Sequence, residues 1–471
     1  MNGKAKHTNP KFLLLLPDGV GLRNFVFTQF LEVGKQKGYI TVLWNNTPMD
    51  LVNYGSSVRL PKPVLHPLTD RYKNALIQIQ LQLFKKRSGD EVYDTYRFTN
   101  KSSNWRSKIK KWLDTFLIWR YNSEKGVSQL RKKMQQTERN TLYYMACKKQ
   151  LEEDRPAFVF CTNQRPVTAI APLTASRDLG IPTACFIFSW DNLPKATMVV
   201  EADYYFVWSE SMKKELMFYY PNILEKQILV TGTPQFEPHF DEQLRFPKEN
   251  FVSTYNLDAS KTYICFSGDD ITTSPDDEQY LADLALAVRQ LNREGKNLGI
   301  LFRRCPVDFS ERYDTVLVEY QDEIRVVNPL WKQYGTSWDT TVPTPEDIAL
   351  LIQCIAHSAV VVNLASSMVF DFVTHKKPCI YCNYTFPLSN NPSWTSKKVY
   401  NFVHFRSMPE PHPVFWVTES SAMKQTILKA LNNSDSVVSQ AQTWFQTINQ
   451  HPPQKASERI WEGIDTILRN D

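Results

Sequence analysis

Glycine is scarce in this chain, 15 of 471 residues, while proline reaches 28, and neither follows a period. That excludes a collagen-like repeat and long Gly-rich linkers. No apolar run approaches 18 residues, so the sequence offers no transmembrane helix. The apolar run Phe12–Leu16 follows a basic start, but five residues are too few for the core of an export signal. The expectation is a cytoplasmic protein, with peripheral contact at the inner face of the cell membrane left open. Matched metal-ligand spacings are missing too. The eight cysteines are scattered, and Cys379 and Cys382 form a lone CxxC without a second pair. They read as reduced, buried thiols, and no metal site is expected. No internal repeat is visible, and no base-reading motif accompanies the positive charge, so nucleic acid is not an expected partner.

What is present is an ordinary globular balance, 42% apolar and 22% charged, long enough for two domains. Aromatics reach 13%, with 12 Trp. The net charge of +6 is unevenly spread. Residues 71–149 hold 19 Lys/Arg against six Asp/Glu, leaving the rest of the chain net acidic. Such a segment suits an anionic partner, such as a membrane surface or an acidic polymer. Within it, Trp105, Ile109, Trp112, Phe116 and Trp119 recur at steps of four and three. On a helix they fall in a band of about 80°. Arg106, Lys108, Lys110, Lys111 and Arg120 flank the band. The stripe either packs on its own domain or lies in a lipid interface, with Trp105, Trp112, Trp119, Lys108 and Lys111 facing the membrane.

The remainder alternates short apolar runs with helical periods, the pattern of parallel α/β sheets. The first unit opens with a strand at Phe12–Leu16, a glycine loop, a helix over Asn24–Lys37 and a strand at Tyr39–Trp44. Further strands are expected at 157–161, 183–188, 204–208 and 228–231. A polar stretch with Pro238 and Pro247 marks a domain boundary. The alternation restarts at Thr262–Phe266 and continues through 298–302, 359–362 and 378–381. The expected domains are 1–240, with 71–149 as a basic helical insertion, and 246–450. A helix over 454–471 is expected to return to the first domain.

In parallel α/β sheets ligands bind at the loops after strands. Four such loops are unusual here. In Pro17-Asp18-Gly19-Val20-Gly21-Leu22-Arg23-Asn24, the glycines permit close approach of a ligand, and Asp18 can serve as a general base; the alternative is a tight turn with a helix cap. Ser189-Trp190-Asp191-Asn192 follows an apolar run and either lines a cleft or starts a helix. Arg303 and Arg304 end a strand and suit bidentate phosphate contact, or an ion pair. Asn363-Leu364-Ala365-Ser366-Ser367 leads into a helix bearing Asp371. The serines suit a diphosphate and Asp371 a ribose, or they form a plain serine cap.

Taken in order, the SWDN loop, Val207-Trp208-Ser209-Glu210, the VTGTPQF run, the arginine-bearing strand end and N-x-x-S-S-x-x-x-D resemble GT-B glycosyltransferases. The likeness is to the bacterial surface-polysaccharide group, which is similar to CDP-glycerol glycerophosphotransferases and to UDP-N-acetylglucosamine 2-epimerase-like proteins. It covers about residues 10–65 and 140–470. The resemblance implies two Rossmann-like domains facing across a cleft, without cofactor or obligatory metal. It implies a nucleotide-sugar donor at Gly268, Arg303, Arg304, Ser366, Ser367 and Asp371. A glycan or lipid-linked acceptor would lie beside Gly19, Gly21, Asn24 and Trp190. Asp18 is the expected base, with Asp191 as second choice. The relatives' R-P-H-P strand end reads Arg303-Arg304-Cys305-Pro306 here, without the histidine, and their Asp-Tyr before Ser-Ser reads Leu364-Ala365. The expected activity is sugar transfer. A polyol-phosphate transferase and a non-catalytic nucleotide-sugar-binding protein remain as alternatives.

Overall fold

The structure is a computed structural model that describes residues 9–97, 105–335 and 340–470. The chain divides into two units. One runs to Gln235 and resumes at Asn449; the other is Phe236–Ile448.

The first unit is built on seven parallel strands: β1 (Lys11–Leu16), β2 (Ile40–Asn45), β3 (Ser56–Val58), β4 (Phe158–Cys161), β5 (Thr183–Phe186), β6 (Tyr204–Val207) and β7 (Ile228–Val230). Their spatial order is β3-β2-β1-β4-β5-β6-β7. β1 is an interior strand, between β2 and β4, and its residues Phe12 to Leu16 are fully buried. A parallel strand covered on both faces needs an uninterrupted apolar run, and Phe-Leu-Leu-Leu-Leu supplies it.

The helix expected over Asn24–Lys37 is interrupted. Leu22–Val26 forms a single π turn, and the α-helix begins at Phe30 and ends at Gln36. The Thr28 hydroxyl donates to the Asn24 carbonyl and accepts from the Phe30 amide, so a side chain replaces the helical ladder at the break.

The last helix, Ala456–Asn470, packs within this unit. Trp461 lies against Phe12, Phe30 and Tyr39, with ring centroids 4.5–5.0 Å apart, and its indole N–H donates to the Phe30 carbonyl at 2.8 Å. Tyr39 donates to Asp465 at 2.7 Å.

Between β3 and β4 the chain is helical, with helices Thr69–Ser88, Val92–Thr95, Trp105–Tyr121, Glu124–Glu138 and Leu142–Asp154. Ala75, Leu76, Ile79, Val127 and Leu130 form a core of their own there. Glu138 is buried and accepts from the His66 amide and the Thr69 hydroxyl, tying the end of one helix to the start of another.

The second unit holds a parallel sheet of β8 (Thr262–Ser267), β9 (Leu298–Arg303), β10 (Ile324–Val326), β13 (Ser358–Asn363), β14 (Cys379–Cys382) and β15 (Phe415–Val417), in the order β10-β9-β8-β13-β14-β15. A two-residue antiparallel pair, β11 (Lys332–Gln333) and β12 (Thr341–Val342), stands apart from it. Both units are Rossmann-like α/β layers. No helix of the described residues is long and apolar enough to cross a membrane.

Candidate functional site

In a doubly wound sheet the chain leaves the centre in both directions, and the gap between the two departing loops is where ligands bind. In the first unit that point lies between β1 and β4. The loop after β1 carries Asp18, and the loop after β4 carries Asn163.

The two meet. The Asn163 amide donates to Asp18 Oδ2 at 2.6 Å, and the Val20 N–H donates to Oδ1 at 3.2 Å. Burial pushes the Asp18 carboxyl up to about 6, opposing the Val20 and Asn163 hydrogen bonds and the nearby Arg165 guanidinium, which favour the anion. A carboxylate poised near neutrality at a sheet's ligand-binding edge has the properties of a general base.

The neighbouring loops are fixed by buried amides. Gln164 accepts from the Phe188 N–H at 3.1 Å and donates to Asn192 at 3.2 Å, so the loops after β4 and β5 move as one. Gly21 has no room for a side chain: a Cβ would sit 2.4 Å from the Thr162 hydroxyl. Its need for glycine is close packing of the β1 loop on the β4 loop. Asn24 is buried in the π turn, and Gly19 is half-buried, its carbonyl accepting from the Leu22 N–H.

Asp191 is committed locally. It accepts from Ser189 at 2.5 Å and Asn192 at 2.8 Å and pairs with Lys195, which suits loop fixation better than proton abstraction. Trp190 is buried beside it.

Sequence reasoning passed over Thr162-Asn163-Gln164-Arg165. The available signal was a run of polar residues directly after an apolar strand, the same signal that exposed Ser189–Asn192.

In the second unit the corresponding point lies between β8 and β13. It brings Gly268 and the Ser366–Ser367 loop to one edge. A Cβ at Gly268 would meet the Tyr313 hydroxyl at 3.0 Å and Asp277 at 3.3 Å. The serine loop is held by two tyrosines. Tyr381 donates to the Ser366 carbonyl at 2.7 Å, and Tyr400 accepts from the Ala365 N–H at 3.0 Å. Ala365 takes a left-handed backbone, φ 58°, which these bonds sustain. Ser367 is exposed at the start of the helix Met368–Thr374.

The loops after β8 and β9 are joined by Arg312, which donates to the Asp269 and Ser274 carbonyls at 2.6 Å and to Asp308 at 2.9 Å. Asp269 and Asp277 crowd each other there, and burial raises both carboxyls.

Three expected donor residues are engaged within the unit. Arg303 is buried, and its Nη2 donates to both Asp347 oxygens at 2.7–2.8 Å. Asp347 also accepts from the Leu330 N–H and the Trp331 indole, each at 2.7 Å. Through Nη2 the guanidinium neutralises an interior carboxylate. Arg304 is half-buried, donates to the Ser310 carbonyl at 3.0 Å and stacks on Tyr313. Asp371 is also buried, 2.9 Å from His239, which in turn lies 3.2 Å from His375. Burial holds His375 down to about 3. Asp371, expected at a ribose, thus belongs to a side-chain chain inside the unit.

None of the eight cysteines is in a disulfide, and no cluster of three His, Cys, Asp or Glu among the described residues is placed to hold a metal. The side chains of Trp105 and Lys108 lie outside the described residues.

No family model matches the chain, and no curated protein matches it. Solved structures do. A putative UDP-N-acetylglucosamine 2-epimerase from Listeria monocytogenes aligns with TM-score 0.55 at 10% identity, over 98% of each chain. A glycosyltransferase from Rickettsia africae aligns with TM-score 0.53 at 11% identity, over 99% of this chain and 100% of that one. S. aureus MnaA, in a structure with UDP, aligns with TM-score 0.51 at 11% identity, over 98% and 97%. The fold is GT-B. The GT-B architecture that the motifs resemble is the one found. At these identities the likeness carries the fold and leaves the chemistry to the residues.

Proposed function

We propose that this GT-B protein is a glycosyltransferase, moving a sugar from a nucleotide-sugar to the hydroxyl of a surface-polysaccharide or lipid-linked glycan. The observation that carries the reading is Asp18. It stands after β1, is steadied by Asn163, and its carboxyl is raised to about 6. An inverting transfer needs a base of that kind at the acceptor hydroxyl. The donor nucleotide would bind at the edge carrying Gly268, Ser366 and Ser367. Two GT-B neighbours are named for nucleotide-sugar chemistry or bound UDP, which supports a nucleotide as ligand.

A second reading, sugar-nucleotide epimerisation, is favoured by the epimerase names among those neighbours. The test is a thermal-shift panel of UDP, GDP, CDP, CMP, ADP and dTDP, followed by turnover of the sugar nucleotide whose base stabilises. A ligand held by the native state adds RT ln(1 + [L]/Kd), about 2.7 kcal/mol at a hundredfold excess. Acceptor-dependent release of nucleotide supports transfer. An epimeric nucleotide-sugar without release supports the second reading. No stabilisation and no turnover would refute both.

A further inference from the structure

The helix Trp105–Tyr121 has two unlike faces. One packs inward: Leu117, Ile118 and Tyr121 rest on the core of Ala75, Leu76, Ile79, Val127 and Leu130. The other carries Ile109, Trp112, Phe116 and Trp119, exposed by 50, 66, 47 and 74%. The rings form a continuous ridge, with Trp112 to Phe116 and Phe116 to Trp119 both 6.1 Å between centroids. At about 200 Å² per side chain this leaves on the order of 400–500 Å² of apolar surface in water. That is the size of the largest apolar patch on a typical monomer, which is often a functional one.

Charge identifies the occupant. The helix bears five Lys/Arg and a single acid, Asp114. Asp114 is turned inward and accepts from Arg71 at 2.9 Å. The outward side is left with the aromatic ridge, flanked by the exposed Lys111 on one edge and Arg120 on the other. Apolar rings between cations match a bilayer surface, where indoles sit among headgroups and lysines meet anionic phosphates.

We propose that this ridge docks the protein on an anionic lipid bilayer, with Trp112, Phe116 and Trp119 entering the headgroup layer and Lys111 and Arg120 on the phosphates. The proposal does not depend on sugar transfer, since its test uses no nucleotide and no acceptor.

The experiment is cosedimentation of the full chain with vesicles of pure phosphatidylcholine and of phosphatidylcholine with 30% phosphatidylglycerol. Brominated lipid in parallel samples reports Trp insertion. The wild type should bind the anionic vesicles at least tenfold better, lose binding as salt rises, and be quenched by the bromines. Trp112→Ser with Trp119→Ser should lose at least tenfold in binding and most of the quenching, with an unchanged melting temperature. Lys111→Glu with Arg120→Glu should lose the preference for anionic vesicles. Failure of the wild type to bind, equal binding to both vesicle types, or undiminished binding by the tryptophan variant would each overturn the proposal. So would a wild-type dimer that the tryptophan variant dissociates while vesicle binding is absent, because the ridge would then seat a second copy.

Discussion

Replacing Asp18 by Asn should stabilise the protein and inactivate it together. The carboxyl is raised from 3.8 to about 6 by burial. At about 1.4 kcal/mol per pH unit, keeping it ionised costs the native state roughly 3 kcal/mol. The sign follows from proton binding. A group with a raised native pKa holds its proton more tightly when folded, so wild-type stability falls as pH climbs from about 4 to about 6, and the loss is complete above that. Asparagine carries no charge, so it escapes this loss. It has one acceptor oxygen for the two bonds from Val20 and Asn163, which costs about 1 kcal/mol. The net gain is about 2 kcal/mol at pH 8 and about zero at pH 4.5, where the two effects cancel. For a domain of this size the swing between the two pH values is roughly 4–8 °C in Tm. Scanning calorimetry of wild type and Asp18→Asn at both pH values measures it. Turnover, followed as acceptor-dependent nucleotide release, should fall about 10²–10⁴-fold. A Tm difference that ignores pH would refute the buried, ionised carboxylate. Turnover within twofold of wild type would refute its role as base.

Three other outcomes are expected. Asn163→Ala removes the 2.6 Å bond that favours the Asp18 anion, so the acidic limb of the pH–rate profile should move above 6 while the alkaline plateau survives; an unmoved limb would separate Asn163 from the base. Arg303→Ala strands the Asp347 carboxylate in the interior and should cost about 3–5 kcal/mol in urea unfolding, with nucleotide affinity within twofold; a tenfold affinity loss would return Arg303 to the phosphate. Trp461→Ala opens a cavity against Phe12, Phe30 and Tyr39 and should cost about 3–5 kcal/mol, and a loss under 1 kcal/mol would mean that the last helix is a loose appendage.

The strands were readable because each is a short apolar run buried on both faces, bounded by punctuation such as Pro17-Asp18-Gly19. β3 and β10 escaped notice because they are three-residue edge strands in which polar residues such as Ser56 and Arg325 interrupt the apolar run, and β15 because Phe-Trp-Val is too short a run to stand out. The break after the π turn escaped because Phe25, Phe27, Phe30, Leu31 and Val33 keep the stretch apolar through it, with no Gly or Pro to mark a stop. Spacing reports which face is apolar and does not report where a Thr28 hydroxyl takes over a backbone bond.

Side-chain partners were hidden for a stronger reason. Arg303 pairs with Asp347, 44 positions later, and Asp371 with His239, 132 positions earlier. Both have the residue type and local setting of a ligand contact. An interior charge must find a counter-charge, and only the packed chain says whether that partner is a ligand or another residue.

The alternation of strands and helices, the loops that follow the strands, and the basic segment with its aromatic stripe were all legible along the chain, because each depends on neighbours within a few residues. Packing in three dimensions set which strands lie side by side, and therefore that Asp18 meets Asn163 across the gap between β1 and β4. It also decided that Trp112, Phe116 and Trp119 face outward while Asp114 turns in to Arg71. Those outcomes depend on which surfaces remain uncovered after the core closes, and long-range packing sets that.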